Sequence, residues 1–308
     1  MRPYSADRLS PKIRITGAVA AAFTVTITAS IAANLAAAPA VKCGINPTFN
    51  LTFNLTFNIN AAARHIASAV RKNQRVNDSI SSDCMLAVNS LTKSVPNGVT
   101  PLTILHDVGF AVRAGETVAV VGSSGSGKST LLALLAGLDV PSSGAVHLAG
   151  ESLFDLDEDG RAALRGRCAG FVFQSFHLMP HLNALENVML PLELAGRSDA
   201  ERIARDTLQR VGLAERERHY PKHLSGGEQQ RVAVARAFAP QPKILFADEP
   251  TGNLDTVTGA TIIELLFELN RETGATLILV THDDAIAARC GRMLRIAQGR
   301  IESDSGTP

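Results

Sequence analysis

The apolar run at residues 117–121 leads straight into Gly122-Ser123-Ser124-Gly125-Ser126-Gly127-Lys128-Ser129-Thr130, and a helical pattern begins at once. Few folds accommodate that order. The run reads as a buried strand, and residues 128–136 read as a helix closed by Gly137. Gly122, Gly125 and Gly127 let the backbone turn its N–H groups inward, next to the positive end of the new helix. Such a nest takes phosphate oxygens. Lys128 would neutralise the β- and γ-oxygens, and the Ser129 hydroxyl would ligate Mg2+. A glycine-rich turn without ligand is the bland alternative, but every consensus position is filled and the strand–loop–helix context is right.

Strand and helix signals alternate around this loop. Residues 86–88 and 102–112 read as short strands about a turn at Pro96-Asn97-Gly98, and residues 145–148 as a strand after Pro141-Ser142-Ser143-Gly144. Residues 171–173 form a strand that ends at Gln174. The pattern then turns helical between about 180 and 240, where Ala204, Leu208 and Val211 share a face and Gly212 stops the helix. Strands return at 244–247 and 276–280, with a helix over about 257–270 between them. A helical insert interrupting an α/β core is the expected architecture.

Two of these strands deliver acids or bases to one end. Residues 244–247 are apolar and feed Asp248 and Glu249. A buried strand presents such groups at its C-terminal end, where open α/β sheets bind ligands. Asp248 would orient the Mg2+ shell, and Glu249, pointing elsewhere, would act as general base on the attacking water. His282 follows the other strand and would hold Glu249 and water in register. Gln174 would reach the metal or the water. Taken singly, each is an ordinary strand-end residue; beside the phosphate loop they form a set.

Leu224-Ser225-Gly226-Gly227-Glu228-Gln229-Gln230-Arg231 offers a second phosphate site. Ser225 can cap the following helix and also donate to a phosphate oxygen. An ordinary capped helix explains the serine alone. A second complete site in a chain that already has one implies two chains closing on shared nucleotides. Gly252-Asn253-Leu254-Asp255 would lie at that interface, with Asp255 linking the two sites.

At these motifs the sequence resembles the ATP-binding subunits of ABC transporters, over residues 86–301 and with six motifs in family order. Phe173-Gln174-Ser175-Phe176-His177-Leu178-Met179-Pro180, Leu185-Glu186-Asn187-Val188 and Phe246-Ala247-Asp248-Glu249-Pro250-Thr251-Gly252-Asn253-Leu254-Asp255 are similar to the YbbA-type, lipoprotein-release and macrolide-export group. The resemblance implies a P-loop NTPase core with an antiparallel β subdomain and an inserted helical subdomain at about 176–240, all within 85–303. It implies a Mg2+-dependent ATPase that forms a homodimer, with Ser225, Gly226, Gly227, Glu228 and Asp255 contacting ATP in trans. Ser129, Gln174 and Asp248 would surround the metal. The partner would be a membrane permease on a separate chain, docking near residues 175–187, with the ATPase at the cytoplasmic face of the bacterial inner membrane. Phe176, Leu178, Met179 and Leu182 would be anchors if exposed, or core. One departure is Val95, where the family usually stacks an aromatic ring on adenine.

Composition narrows the partners. A net charge of +1 with 19% charged residues gives no bulk attraction to nucleic acid, and none is expected. Cys43, Cys84, Cys168 and Cys290 lack zinc or disulfide spacing. Tandem cassettes, coiled coils and zinc modules of DNA- or ribosome-acting relatives are missing. Glu249 and His282 argue against a scaffold that only binds ATP.

Residues 1–84 differ in kind. Arg2, Arg8, Lys12 and Arg14 precede an uncharged Ala/Thr/Val-rich run at 15–41, and Thr-Phe-Asn-Leu-type tetrapeptides repeat over 48–59. We expect this to be low-complexity extension upstream of a working start at Met85 or Val76, with a membrane anchor or a targeting segment as alternatives. Residues 304–308 read as a tail.

Overall fold

The computed structural model describes residues 83–98 and 101–306. The expected extension therefore lies outside the described residues, apart from Asp83 and Cys84, and so does Cys43.

Among the described residues, ten strands form two sheets. The larger sheet has six strands, with β3 (Thr117–Val121) and β8 (Thr276–Val280) at its centre. On one side of this pair lie β7 (Ile244–Asp248) and β6 (Ala169–Phe173), and on the other β9 (Arg292–Ala297) and β10 (Arg300–Asp304). Pairing is parallel from β6 through β7, β8 and β3 to β9, and β10 closes the edge antiparallel to β9. Parallel strands covered on both faces favour continuous apolar runs, which explains Leu-Ile-Leu-Val in β8; its first residue, Thr276, is buried with its hydroxyl accepting from the Gly115 N–H. Alternation then sorts them between two cores. Leu245 and Ala247 of β7 pack with the helices of one core. Ile244 and Phe246 enter the other, beside Leu131 and Leu135 of α1 (Lys128–Leu135). Burying one such side chain completely stabilises by about 1.5–3 kcal/mol.

The second sheet joins β2 (Leu102–Arg113), β1 (Cys84–Val95), β4 (Ser143–Leu148) and the short β5 (Glu151–Ser152), with β1–β2, β1–β4 and β4–β5 all antiparallel. It fits the antiparallel subdomain implied by resemblance. β1 is much longer than the three residues expected. Its second half, from Asn89 to Ser94, is mostly polar and bulged, so the apolar signal fades while the ladder continues. Gly144 is required there, because a Cβ on it would sit 2.5 Å from the Ser90 carbonyl oxygen. Among the elements not expected from sequence are α2 (Glu158–Cys168), β5, β9 and β10. α2 buries only Leu164 and Cys168, too few apolar residues to show a period.

The helical insert holds α3 (Ala184–Leu194), α4 (Ala200–Arg210) and α5 (Gly226–Phe238), and the chain returns through α6 (Thr256–Thr273) and α7 (Asp284–Ala287). Ala204, Leu208 and Val211 are buried as their spacing predicted. α3 begins with a reciprocal cap between Asn183 and Glu186. Within it Asn187 is fully buried. Its Oδ1 accepts from the Met179 N–H at 2.8 Å, and its Nδ2 donates to the carbonyls of Met179, Leu182 and Asn183.

The Met179 N–H and the Leu182 carbonyl have Asn187 as their partner, and Asn187→Ala strands those two groups. We expect a loss of about 3 kcal/mol, read as a fall of about 10 °C in melting temperature. A loss below about 1 kcal/mol would mean that water replaces the amide without penalty.

Candidate functional site

Register brings the strand ends together. Phe173 lies opposite Asp248, and Asp248 opposite Val280, which in turn pairs with Val120. Four parallel strands therefore finish on one line, and the segments that leave them carry Gln174, Glu249, His282 and the phosphate loop.

The loop is closely backed on two sides. A Cβ at Gly122 would meet the Ile296 carbonyl at 2.2 Å, and one at Gly127 would meet Leu105 Cδ2 at 2.9 Å. Gly127 also takes φ 101°, which only glycine adopts readily, and it starts α1. Lys128 is buried, and its Nζ donates to the Gly122 and Ser123 carbonyls at 3.0 Å each. The ammonium is thereby held within the loop. Ser126 Oγ is buried without a partner.

Ser129 Oγ donates to Asp248 Oδ1 at 3.3 Å, joining the helix start to the β7 end. Burial raises the Asp248 carboxyl above its ordinary range; Ser129 counters this, the Glu249 charge adds to it, and Lys128 lowers it slightly. Glu249 has φ 42°, a strained conformation for a residue with a side chain, fixed by its N–H to the Val280 carbonyl at 3.0 Å. That twist separates its side chain from that of Asp248. Glu249 Oε2 instead lies 3.4 Å from His282 Nδ1. Both residues line a cavity of about 480 Å³ together with Gly252, Asp255 and Arg289.

Gln174 is turned toward the loop at residues 252–255. Its Nε2 donates to Asn253 Oδ1 at 3.2 Å, and Asn253 Nδ2 donates back to the Gln174 carbonyl at 3.0 Å. No hydrogen bond among the described residues joins it to Asp248 or Ser129. Gly252 makes room for it, since a Cβ there would lie 2.6 Å from Gln174 Nε2.

Ser225 is the N-cap of α5. Its Oγ accepts from the Glu228 N–H at 3.3 Å, and its own N–H donates to Glu228 Oε2 at 2.8 Å. That backbone contact is the main cause holding the Glu228 carboxyl below its usual range, with Arg216 assisting. Gly227 lets α5 close on α6, where a Cβ would meet Thr258 Cγ2 at 2.5 Å. Asp255 caps α6 through the N–H groups of Val257 and Thr258, which lower its pKa. Among the described residues of one chain, no hydrogen bond or ion pair links residues 225–228 to residues 122–130.

Sequence reasoning set Asn253 at the expected interface and Gln230 within the second phosphate motif but gave neither a partner: Asn253 grips Gln174, and Gln230, fully buried on α5, donates from Nε2 to the Pro250 carbonyl at 2.6 Å. Nothing in Gln229-Gln230 distinguishes the buried amide from the other. Of the four apolar anchors, Met179 is exposed, while Phe176, Leu178 and Leu182 are half-buried and Leu178 packs on the core. Val95 ends β1, paired with the exposed Leu102.

The chain is similar to several known proteins. A family model for ABC transporters matches residues 105–252. The uncharacterized ABC transporter ATP-binding protein YbbA of Escherichia coli K12 is 57% identical over 72% of this chain and 98% of its own length. The lipoprotein-releasing system ATP-binding protein LolD of Geobacter metallireducens is 49% identical over 71% of this chain and 99% of its own. Among solved structures, the ATP-binding cassette MJ0796, dimeric in a post-hydrolysis state with ADP and phosphate, superposes with TM-score 0.68 at 40% identity, covering 72% of this chain and 98% of the other. The cbiO1 subunit of the cbiONQ transporter complex from Clostridium perfringens gives TM-score 0.64 at 28% identity, covering 72% and 88%.

The raised Asp248 pKa has a sign that can be checked. Its ionised form is less favourable in the folded than in the unfolded chain, so above the carboxylate range Asp248 lowers stability. That cost fades as pH falls through the raised value. Asp248→Asn should therefore raise the melting temperature of the nucleotide-free protein by a few degrees at about pH 7, with the gain shrinking in acid. A lower melting temperature for the variant at neutral pH contradicts the assignment.

Proposed function

This chain belongs to the ABC transporter family, and on that footing we propose that it is the Mg2+-dependent ATPase subunit of a transporter, a homodimer driving a separate membrane permease. The observation that carries the reading is the meeting of two pairs at one sheet edge: Ser129 with Asp248, and Glu249 with His282.

The loop amides and Lys128 receive the β- and γ-phosphates. Ser129 Oγ and Asp248 Oδ1 are two hard oxygen donors side by side, a set that suits Mg2+ shared with phosphates; when bound, the ion neutralises phosphate charge. Glu249 takes a proton from water as its oxygen attacks the γ-phosphorus and the bond to the ADP oxygen breaks, leaving ADP and phosphate. His282 Nδ1 fixes the carboxylate that receives this proton. Strain at Glu249 has a purpose in this account, because it separates the base from the metal ligand. Gln174, tied to Asn253, senses whether the interface loop is in place.

Ser225 Oγ accepts from its own helix, so its hydroxyl proton remains free for the γ-phosphate on the partner chain. Gly226, Gly227 and Glu228 shape that surface, and Asp255 contributes from α6. Nucleotide bridges two chains, and cleavage removes the bridge. Moving a two-state equilibrium from nearly all one form to nearly all the other takes about 5.5 kcal/mol, a size that several γ-phosphate contacts supply. Without an aromatic at Val95, adenine loses a stacking contribution of about 1 kcal/mol.

No helix among the described residues is long and apolar enough to cross a membrane. The likeness to a lipoprotein-releasing ATPase supports a permease that uses dimer closure as force, for export or for lipid and lipoprotein release. We place the subunit at the cytoplasmic face of the bacterial inner membrane, where ATP is available, held by the permease through the surface around exposed Met179.

Glu249→Gln should bind ATP normally, lose at least about 100-fold in kcat, and accumulate as an ATP-bound dimer on gel filtration. Unchanged turnover removes Glu249 from the base role. Heterodimers test the sharing. With Lys128→Ala on one chain and Ser225→Ala on the other, one composite site stays intact and turnover persists; with both on one chain, neither site survives. The reverse pattern would show that each chain completes its own site.

A further inference from the structure

Helix α5 grips the rest of the site through two side chains. Gln230 Nε2 donates to the Pro250 carbonyl at 2.6 Å and reaches the Phe173 carbonyl at 3.4 Å. It thereby ties the residue after Glu249 to the residue before Gln174. Further along α5, Arg236 donates from Nη1 to the His177 carbonyl at 2.6 Å and from Nη2 to the Phe176 carbonyl at 2.9 Å. Among the described residues no carboxylate pairs with it, and burial pushes its guanidinium below the ordinary value. Phe176 and His177 both have positive φ, 57° and 49°, a left-handed backbone that residues with side chains avoid.

A mostly buried cation with only carbonyls for partners is a costly way to fasten a helix. Leucine or methionine would fill the space without desolvating a charge. What an apolar residue cannot do is hold two successive carbonyls that a disfavoured turn presents. The planar guanidinium fork can, through two charge-assisted hydrogen bonds.

We propose that Arg236 is a positioning residue: it locks the turn at Phe176 and His177, and with it Gln174, to the helix whose N-terminus carries Ser225. The proposal rests on the roles given above to Gln174 and Ser225. When the partner's nucleotide draws Ser225 inward, α5 and the Gln174 segment move as one body. Without the fork, α5 still closes but Gln174 is not delivered. Nucleotide capture by the phosphate loop is a separate event that Arg236 does not touch.

The test is a double-mutant cycle on the full chain, measured as ATP hydrolysis against ATP concentration. Arg236→Leu should lower kcat about tenfold or more while KM stays within about twofold. Arg236→Lys should recover part of the loss, since an ammonium holds one carbonyl at a time. Combined with Gln174→Ala, Arg236→Leu should cost nothing further, because the arginine acts through the glutamine. Multiplying losses, an unchanged kcat, or a change confined to KM would each overturn the proposal. If Gln174→Ala alone leaves kcat intact, the role of Gln174 falls and this one with it. If Gln174→Ala is impaired yet the losses multiply, only Arg236 is misassigned. Should Arg236→Leu not fold, Arg236→Lys replaces it in the same cycle and is read by the same criterion.

Discussion

Everything at the strand-end site depends on the parallel register that sets Asp248 level with Phe173 on one side and Val280 on the other. Side chains alternate along a strand, so a slip of one residue in β7 would send Asp248 and Phe246 to the wrong faces. The cores prevent that slip. Ile244 and Phe246 belong to one apolar cluster, Leu245 and Ala247 to the other, and exchanging them would leave both badly filled. The precision of the polar site is thus inherited from apolar packing beneath it.

The polar groups themselves are poorly placed for stability. Asp248 is ionised against the preference of its surroundings, Glu249 is held at positive φ, and Ser126 keeps a buried hydroxyl without a partner. Arg236 adds a desolvated cation. Each is a local loss that a well-packed α/β core can absorb. Their concentration around the strand ends is a physical signature of function independent of any motif.

Much of this was legible in the residue order, and for a reason. The phosphate loop, the acids after β7 and the capped start of α5 are local devices whose chemistry depends on neighbours in sequence. β3 and β8 were readable to the residue because continuous apolar runs with sharp ends leave no ambiguity. What stayed hidden is non-local. The polar half of β1 is a strand only because β2 and β4 flank it. Gln174 was expected at the metal, but its hydrogen bonds go to Asn253, a residue distant in sequence. Gln230 and Arg236 look like ordinary helix-surface residues until the fold buries them.

The seat of Gly122 against the Ile296 carbonyl means that the phosphate loop leans on a strand made far later in synthesis. The Gly299 N–H also donates to the Ser126 carbonyl at 3.2 Å, adding a second late prop. A nascent chain still holding β9 inside the ribosome has written its nucleotide motif but lacks the wall behind it. The loop therefore takes its final shape only once that later strand has paired with β3.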